Sequence, residues 1–366
     1  MIDRRLVTNF DWTLLGLVVA ICLLGILNIY SASAAYKMVG APYYIKQLNW
    51  MAVGLIITLV ICSVDYHLLE DFAYWFYGIL ICLLLAVLLV GKTSLGATRW
   101  LDLGLFTIQP SELLKIGIIL TFARFFNNYH VVGGLTIKDM LYPLALLGVP
   151  ALLIMKQPDL GTAILVILIA LSMALFVGLR WTTMVGFVLV TLPMVWLGWT
   201  FFLRTYQKNR VLDFLNPERS RLGSGYHIIQ SKIAVGSGGL WGKGYVKGTQ
   251  AQLRFLPEQH TDFAFSVYAE EWGFIGTLLL LVLYLCLIMW GLTIARRCND
   301  RLGALLAVGV TAMLFWHTVI NIGMVIGLFP VVGVPLPFFS YGGTSMITSM
   351  VGVGILQNIS MRRFMF

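Results

Sequence analysis

The sequence predicts an all-α polytopic membrane protein, with about ten transmembrane helices and a large outward-facing loop between the seventh and the eighth. Three observations predict it. Hydrophobic residues make up 59% of the 366 positions and charged residues 11%, with a mean hydropathy of +0.88, a balance that excludes a soluble domain of this size. Apolar runs of about 18 to 25 residues recur along the chain, the length a helix needs to cross a hydrocarbon layer of about 30 Å. One glycine-rich, strongly basic stretch, residues 204–261, interrupts them.

Taken in order, the expected spans are 12–31, 44–62, 72–90, 110–126, 140–156, 160–178, 182–203, 263–295, 304–329 and 343–359. The first follows two arginines without a small-residue cleavage site and reads as a retained span. The fourth opens with Gln109-Pro110-Ser111-Glu112, which puts Pro and an acidic residue where a helix start prefers them. Lys115 follows Glu112 by three residues on the same helical face, as an interhelical tie or a cavity lining would. Asp159, in the turn Gln157-Pro158-Asp159-Leu160-Gly161-Thr162, is placed to cap the sixth span. The eighth is too long for one straight crossing, so its first turns are expected to stand above the bilayer. Pro335, Pro337 and Ser340-Tyr341-Gly342-Gly343 give the approach to the tenth an irregular backbone, which is tolerated at membrane depth only where protein or a polar cavity surrounds it.

An even number of spans puts both termini on one side. Arg4, Arg5, Arg296, Arg297, Arg301, Arg362 and Arg363 gather there, which makes that side cytoplasmic. With this orientation only ten of the 25 Lys/Arg fall inside, so the outer excess calls for its own cause. Nine Lys/Arg against Asp213, Glu218 and Glu258 in the 204–261 loop suit a surface that holds an anion, or one attracted to lipid headgroups. Cys22, Cys62, Cys82, Cys286 and Cys298 lie in or beside apolar runs and imply neither a disulfide framework nor a thiolate metal site. Trp50, Trp75, Trp181 and Trp199 sit near span ends, as interfacial anchors do.

The residues that carry chemistry cluster at the outer rim. Asp262 stands where the basic loop runs into the eighth span, and a carboxylate there must face water, a cation or a cavity. Glu270 and Glu271 lie about 80° and about 180° from it around a helix, so at most one shares its surroundings. Glu271 reads as an interhelical hydrogen-bonding group. Ser237-Gly238-Gly239-Leu240-Trp241-Gly242-Lys243-Gly244 suggests a phosphate-cradling loop but fails the Walker pattern, having Ser237 and Gly244 at key positions. A flexible turn explains it equally well. Arg99 lies on a second outer loop.

Together with Gly225-Tyr226-His227-Ile228-Ile229-Gln230-Ser231-Lys232 and Phe255-Leu256-Pro257-Glu258-Gln259-His260-Thr261-Asp262-Phe263, these motifs, in this order, resemble the SEDS family of cell-wall polymerases over nearly the whole chain, its elongation members more than its division members. Gln259 departs from the Ala or Arg that such proteins often carry. The resemblance implies one integral membrane domain, 1–366, in which the extracytoplasmic loop 204–262 carries much of the active site. It implies a peptidoglycan glycosyltransferase that polymerises lipid II at the outer face of the bacterial inner membrane, releasing undecaprenyl pyrophosphate. A class B penicillin-binding transpeptidase and other elongation-complex membrane proteins would be its partners, with no nucleic acid. Asp262 matches the catalytic position. Arg99, Arg210 and Lys243 would contact pyrophosphate or sugar, Glu112 and Lys115 would line the same cavity, and Asp159 would adjoin it. No tightly bound cofactor is expected, with room for a divalent cation, Mg2+ or Mn2+. The competing readings are a lipid II flippase and a non-enzymatic scaffold for the transpeptidase. A flippase needs polar groups along the whole crossing, where the spans offer little beyond Asn321 and Glu271.

Overall fold

The computed structural model describes residues 8–34, 41–94, 97–102, 104, 107–129, 133–203, 205–220, 224–256 and 258–363. Arg4 and Arg5, used above to orient the chain, and Arg204 and Pro257 lie outside the described residues.

Local capping sets several helix starts. Asp11 accepts from the Leu14 amide at the head of α1 (Trp12–Ser33), and α2 (Tyr43–Ser63) begins after Pro42. Asp65 caps α3 (Tyr66–Val90). Pro110 and Glu112 occupy the first turn of α4 (Pro110–Asn128), where a missing amide hydrogen costs nothing and a negative charge meets the positive end of the helix dipole. Thr136 and Asp139 form a reciprocal capping box on α5 (Ile137–Lys156), and Asp159 caps α6 (Leu160–Val177). α7 (Trp181–Leu197) continues into a π-helical turn, Gly198–Phe202, and among its residues only Thr183 is buried.

The stretch expected to be a glycine-rich loop is largely helical: α8 (Thr205–Leu215), a 3-10 turn (Pro217–Ser220), α9 (Ser224–Ser237) and the short α10 (Thr249–Gln252). Three long helices follow: α11 (Ala264–Arg297), α12 (Arg301–Val325) and α13 (Gly343–Arg362). Between α3 and α4 the chain forms an unexpected antiparallel meander of β1 (Lys92–Ser94), β2 (Ala97–Asp102) and β3 (Thr107–Ile108), with Leu101 opposite Ile108. Arg99 stands on β2 at the irregularity between the Thr93–Thr98 and Lys92–Trp100 pairs, with paired residues on either side of it, a firmer mount than a free loop offers.

Eight of these helices are long and apolar enough to cross a membrane. The other two expected spans are also helices, α4 and α13, but both carry polar residues turned into the bundle, including Glu112, Lys115, Gln357 and Asn358. α12 is the hub, packing on α4, α6, α11 and α13. Polar side chains tie the helices across the interior: Gln47 Nε2 donates to the Ser340 carbonyl at 3.0 Å, Thr58 Oγ1 to that of Met350 at 3.0 Å, and Asn358 Nδ2 to those of Ile61 and Val64 at 2.7 and 2.5 Å.

α11 is not one continuous rod. Gly273 takes φ 64°, ψ −160° and breaks it into a short N-terminal and a long C-terminal segment. The 238–244 backbone docks into the break. The Lys243 and Gly244 amides donate to the Glu270 and Glu271 carbonyls, both at 3.0 Å, while the Phe274 and Ile275 amides donate to the Gly239 and Leu240 carbonyls at 2.8 and 3.2 Å. A Cβ on Gly238 or Gly242 would come within 2.1 Å of the Ala269 or Glu271 carbonyl oxygen. The glycines are thus required for backbone-to-backbone contact. The amides of Lys243 and Gly244, which a phosphate cradle would point at its ligand, are engaged by the helix. Glu271 is an interhelical group as expected, accepting from Ser31 Oγ of α1.

Candidate active site

At the end of the bundle opposite Arg296, Arg301 and Arg362, the starts of α4, α6 and α13 converge with the 258–263 turn and the 332–335 segment around a cavity of about 620 Å³. Asp262, Arg99, Arg210 and Glu112 all line it.

The turn that presents Asp262 is wound tightly. Glu258 adopts a left-handed φ of 47°, and its carbonyl accepts from the Thr261 and Phe263 amides at 3.1 and 3.3 Å. The Asp262 carbonyl accepts from Asn321 Nδ2 of α12 at 3.0 Å. Opposite the carboxylate stands Gly333 at φ 71°, where a Cβ would lie 3.2 Å from Asp262 Oδ2. Burial pushes the Asp262 carboxyl up to about 6, the negative charges of Glu258 and Asp159 push it the same way, and Arg210 and Arg99 pull it back. A carboxylate in that range is mostly ionised at neutral pH yet basic enough to take a proton from a hydroxyl. His260, two residues earlier, stacks on Tyr43 with ring centroids 4.3 Å apart, and burial lowers its pKa, so it stays neutral.

Each cation is held from behind. The Arg99 guanidinium donates to the Pro158 carbonyl and lies 3.7 Å from Asp159 Oδ1. Asp159 is itself occupied: it caps α6, accepts from Thr162 Oγ1 at 2.9 Å and from Gln109 Nε2 at 3.0 Å, and stands behind Arg99 without lining the cavity. Arg210 reaches from α8 and donates to the Val331 carbonyl at 3.1 Å. Glu112 forms part of the floor and pairs with Lys115 at 2.8 Å. Lys115 is buried one layer deeper, 2.7 Å from His317 Nε2, and has no face on the cavity.

Lys243 does not join this group. Its ammonium lies 2.6 Å from Glu270 Oε1 and 2.9 Å from Thr249 Oγ1, on the clasp at the α11 break. Glu270 is fully buried, and a buried carboxylate demands a partner that the glycine-rich loop delivers. Trp50, expected at the interface, is also elsewhere: it walls the cavity against Gly343, whereas Trp75 and Trp181 are exposed as anchors would be. Glu258, Thr261, Tyr341 and Asn321 escaped the motif reading as parts of the site. The signal for Asn321 was its polarity inside an apolar span.

A proton acceptor and two guanidinium groups in one cavity can deprotonate a hydroxyl while neutralising an anionic leaving group. The family model described as a cell cycle protein of the FtsW, RodA and SpoVE type matches residues 11–364. The chain belongs to this family. Among relatives of this FtsW/RodA/SpoVE member, the Escherichia coli protein named peptidoglycan glycosyltransferase MrdB is 45% identical over 98% of this chain and 95% of its own. The Treponema pallidum peptidoglycan glycosyltransferase RodA is 34% identical over 98% and 99%. Of solved structures, a chain of a peptidoglycan synthase complex, described in terms of its coordination of polymerisation and crosslinking, superposes with a TM-score of 0.84 at 32% identity, covering 98% of this chain and 99% of that one. The Thermus thermophilus rod-shape-determining protein RodA gives 0.71 at 29% identity, over 97% and 98%. This family member is therefore a predominantly α-helical, multi-pass membrane protein.

Proposed function

We propose that this chain is a peptidoglycan glycosyltransferase that polymerises lipid II, with Asp262 as general base. The names of its relatives support the reaction class. The observation that carries the mechanism is the Asp262 carboxyl, raised to about 6, in one cavity with Arg99 and Arg210. Asp262 takes the proton from the acceptor GlcNAc 4-hydroxyl as that oxygen attacks the anomeric carbon of the donor MurNAc. The bond from that carbon to the pyrophosphate oxygen breaks, undecaprenyl pyrophosphate leaves, and the inverted centre becomes a β-1,4 linkage. Arg99 and Arg210, held in place by the Pro158 and Val331 carbonyls, meet the growing negative charge without having to reorganise.

In this reading Glu112 and Lys115 form a neutralised pair that closes the floor, and Asp159 keeps Arg99 aimed. The 204–262 stretch contributes Arg210 and the Asp262 turn to an extracytoplasmic site, both termini are cytoplasmic, and the bilayer is the bacterial inner membrane. The likeness to a chain of a synthase complex supports a class B penicillin-binding transpeptidase as partner. Among the described residues no three His, Cys, Asp or Glu side chains cluster as a metal cage. A divalent cation bound to the pyrophosphate oxygens would add to the charge that Arg99 and Arg210 neutralise. The test is gel analysis of glycan made from lipid II by the purified protein and by Asp262→Asn, with partner and divalent ions varied. Polymer formed by Asp262→Asn refutes the assignment.

A further inference from the structure

Asp262 can serve as a base only if it is held at one point on the cavity wall, and the hold comes from α12. Asn321 is fully buried, 0% exposed. Its Nδ2 donates both hydrogens, to the Asp262 carbonyl at 3.0 Å and to the Val334 carbonyl at 2.6 Å. Both partners only accept, so the amide orientation is determined: turned over, Oδ1 would face two carbonyl oxygens. The two carbonyls belong to facing walls, because Val334 adjoins Gly333, the residue packed against the Asp262 carboxylate. One turn earlier on the same face of α12, His317 Nδ1 contacts the Pro335 carbonyl at 3.2 Å and extends the hold along that wall.

A second buried asparagine shows what an ordinary structural tie looks like. Asn358, on α13 at the far end of the bundle, also donates to two backbone carbonyls, and its Oδ1 accepts from Arg362 Nε at 2.8 Å. Asn321 differs in where its two partners lie, because Asp262 and Val334 both line the cavity.

We propose that Asn321 is a positioning residue for glycosyl transfer: its amide sets the spacing between the Asp262 backbone and the 333–335 wall, and so the place of the Asp262 carboxylate in the cavity. The inference rests on Asp262 being the base. Its test compares Asn321→Leu with Asn358→Leu, each of which removes two hydrogen bonds to backbone carbonyls, in the full chain purified with its partner transpeptidase and supplied with lipid II. Initial rates per folded protein are measured on either side of pH 6, with Asp262→Asn alongside. Asn321→Leu lowers kcat by about 10- to 100-fold, the cost of a misplacement near 1 Å, with little change in KM. It also moves the acidic limb of the pH profile downward, because the carboxylate is less enclosed. Asn358→Leu lowers the melting temperature and leaves kcat and the limb unchanged. Asn321→Ser, which keeps one donor and perturbs packing less, falls between Asn321→Leu and the wild type, and serves as the reading should Asn321→Leu fail to fold. Unchanged kcat and limb in the Asn321 variants, or an equal kcat loss in Asn358→Leu, overturns the inference. If Asp262→Asn is inactive in that experiment, the base assignment survives on its own; if it is active, both fall.

Discussion

Replacing Asp262 with Asn should inactivate the protein and stabilise it at the same time. The cavity raises this carboxyl from 3.8 to about 6, burial being the main cause. Each tenfold change in acidity corresponds to about 1.4 kcal/mol, so holding Asp262 ionised at neutral pH costs up to about 3 kcal/mol. The side chain is half-buried, and solvent screening reduces this to about 1 to 2 kcal/mol. The sign follows from proton binding: between pH 4 and 6 the folded state holds the proton more tightly than the unfolded chain, so stability falls as pH rises through that window. Above pH 6 the penalty is present in full, and below the unfolded pKa it is absent. Asn carries no charge at any pH and escapes it. Thermal unfolding of wild type and Asp262→Asn in detergent should therefore show the variant melting a few degrees higher well above pH 6, with the gap closing toward pH 4. Wild-type polymerisation should decline below about pH 6 as the base protonates. A variant no more stable than wild type at neutral pH, or a difference that ignores pH, would show that the cavity does not strain this carboxylate and that the argument from burial is wrong.

Three further outcomes follow from the geometry. Lys243→Met should destabilise the fold by about 2 to 4 kcal/mol, because it strands the buried Glu270, while leaving turnover per folded molecule near normal; adding Glu270→Gln should recover part of the loss in a melting assay. Normal melting with lost turnover would instead return Lys243 to the substrate. Gly333→Ala forces a Cβ onto a left-handed backbone 3.2 Å from the Asp262 carboxylate, and should cost about 1 to 2 kcal/mol and depress kcat, as read by melting and steady-state polymerisation. Arg99→Lys should lose about 10- to 100-fold in rate despite its retained charge, because one ammonium cannot hold Pro158 and Asp159 and still present a fork to the cavity; wild-type rates would refute that use of Arg99.

What could be read along the chain was what depends on near neighbours. Pro110 and Glu112 at the head of α4, and Asp159 at the head of α6, were legible because capping acts within one helical turn. The apolar runs were legible because hydrocarbon requires length and composition, whatever the fold. Glu271 could be read as an interhelical group, but its partner Ser31, 240 residues away, could not. The meander that carries Arg99 was missed because strands of two to six residues leave little periodicity to detect.

The sequence by itself determined that this is a helical membrane protein and that its ionisable side chains gather where the basic stretch meets the eighth span, since both follow from what water and hydrocarbon each accept. Only the tertiary structure decided which of those charges share a cavity. It drew Arg99, Glu112, Arg210 and Asp262 together, moved Lys243 to the break in α11, and set Asn321 against the Asp262 carbonyl. The physical reason is range: a cap or a span is fixed by contacts a few residues apart, whereas a buried charge is assigned its partner by whichever distant backbone the packing of helices brings beside it.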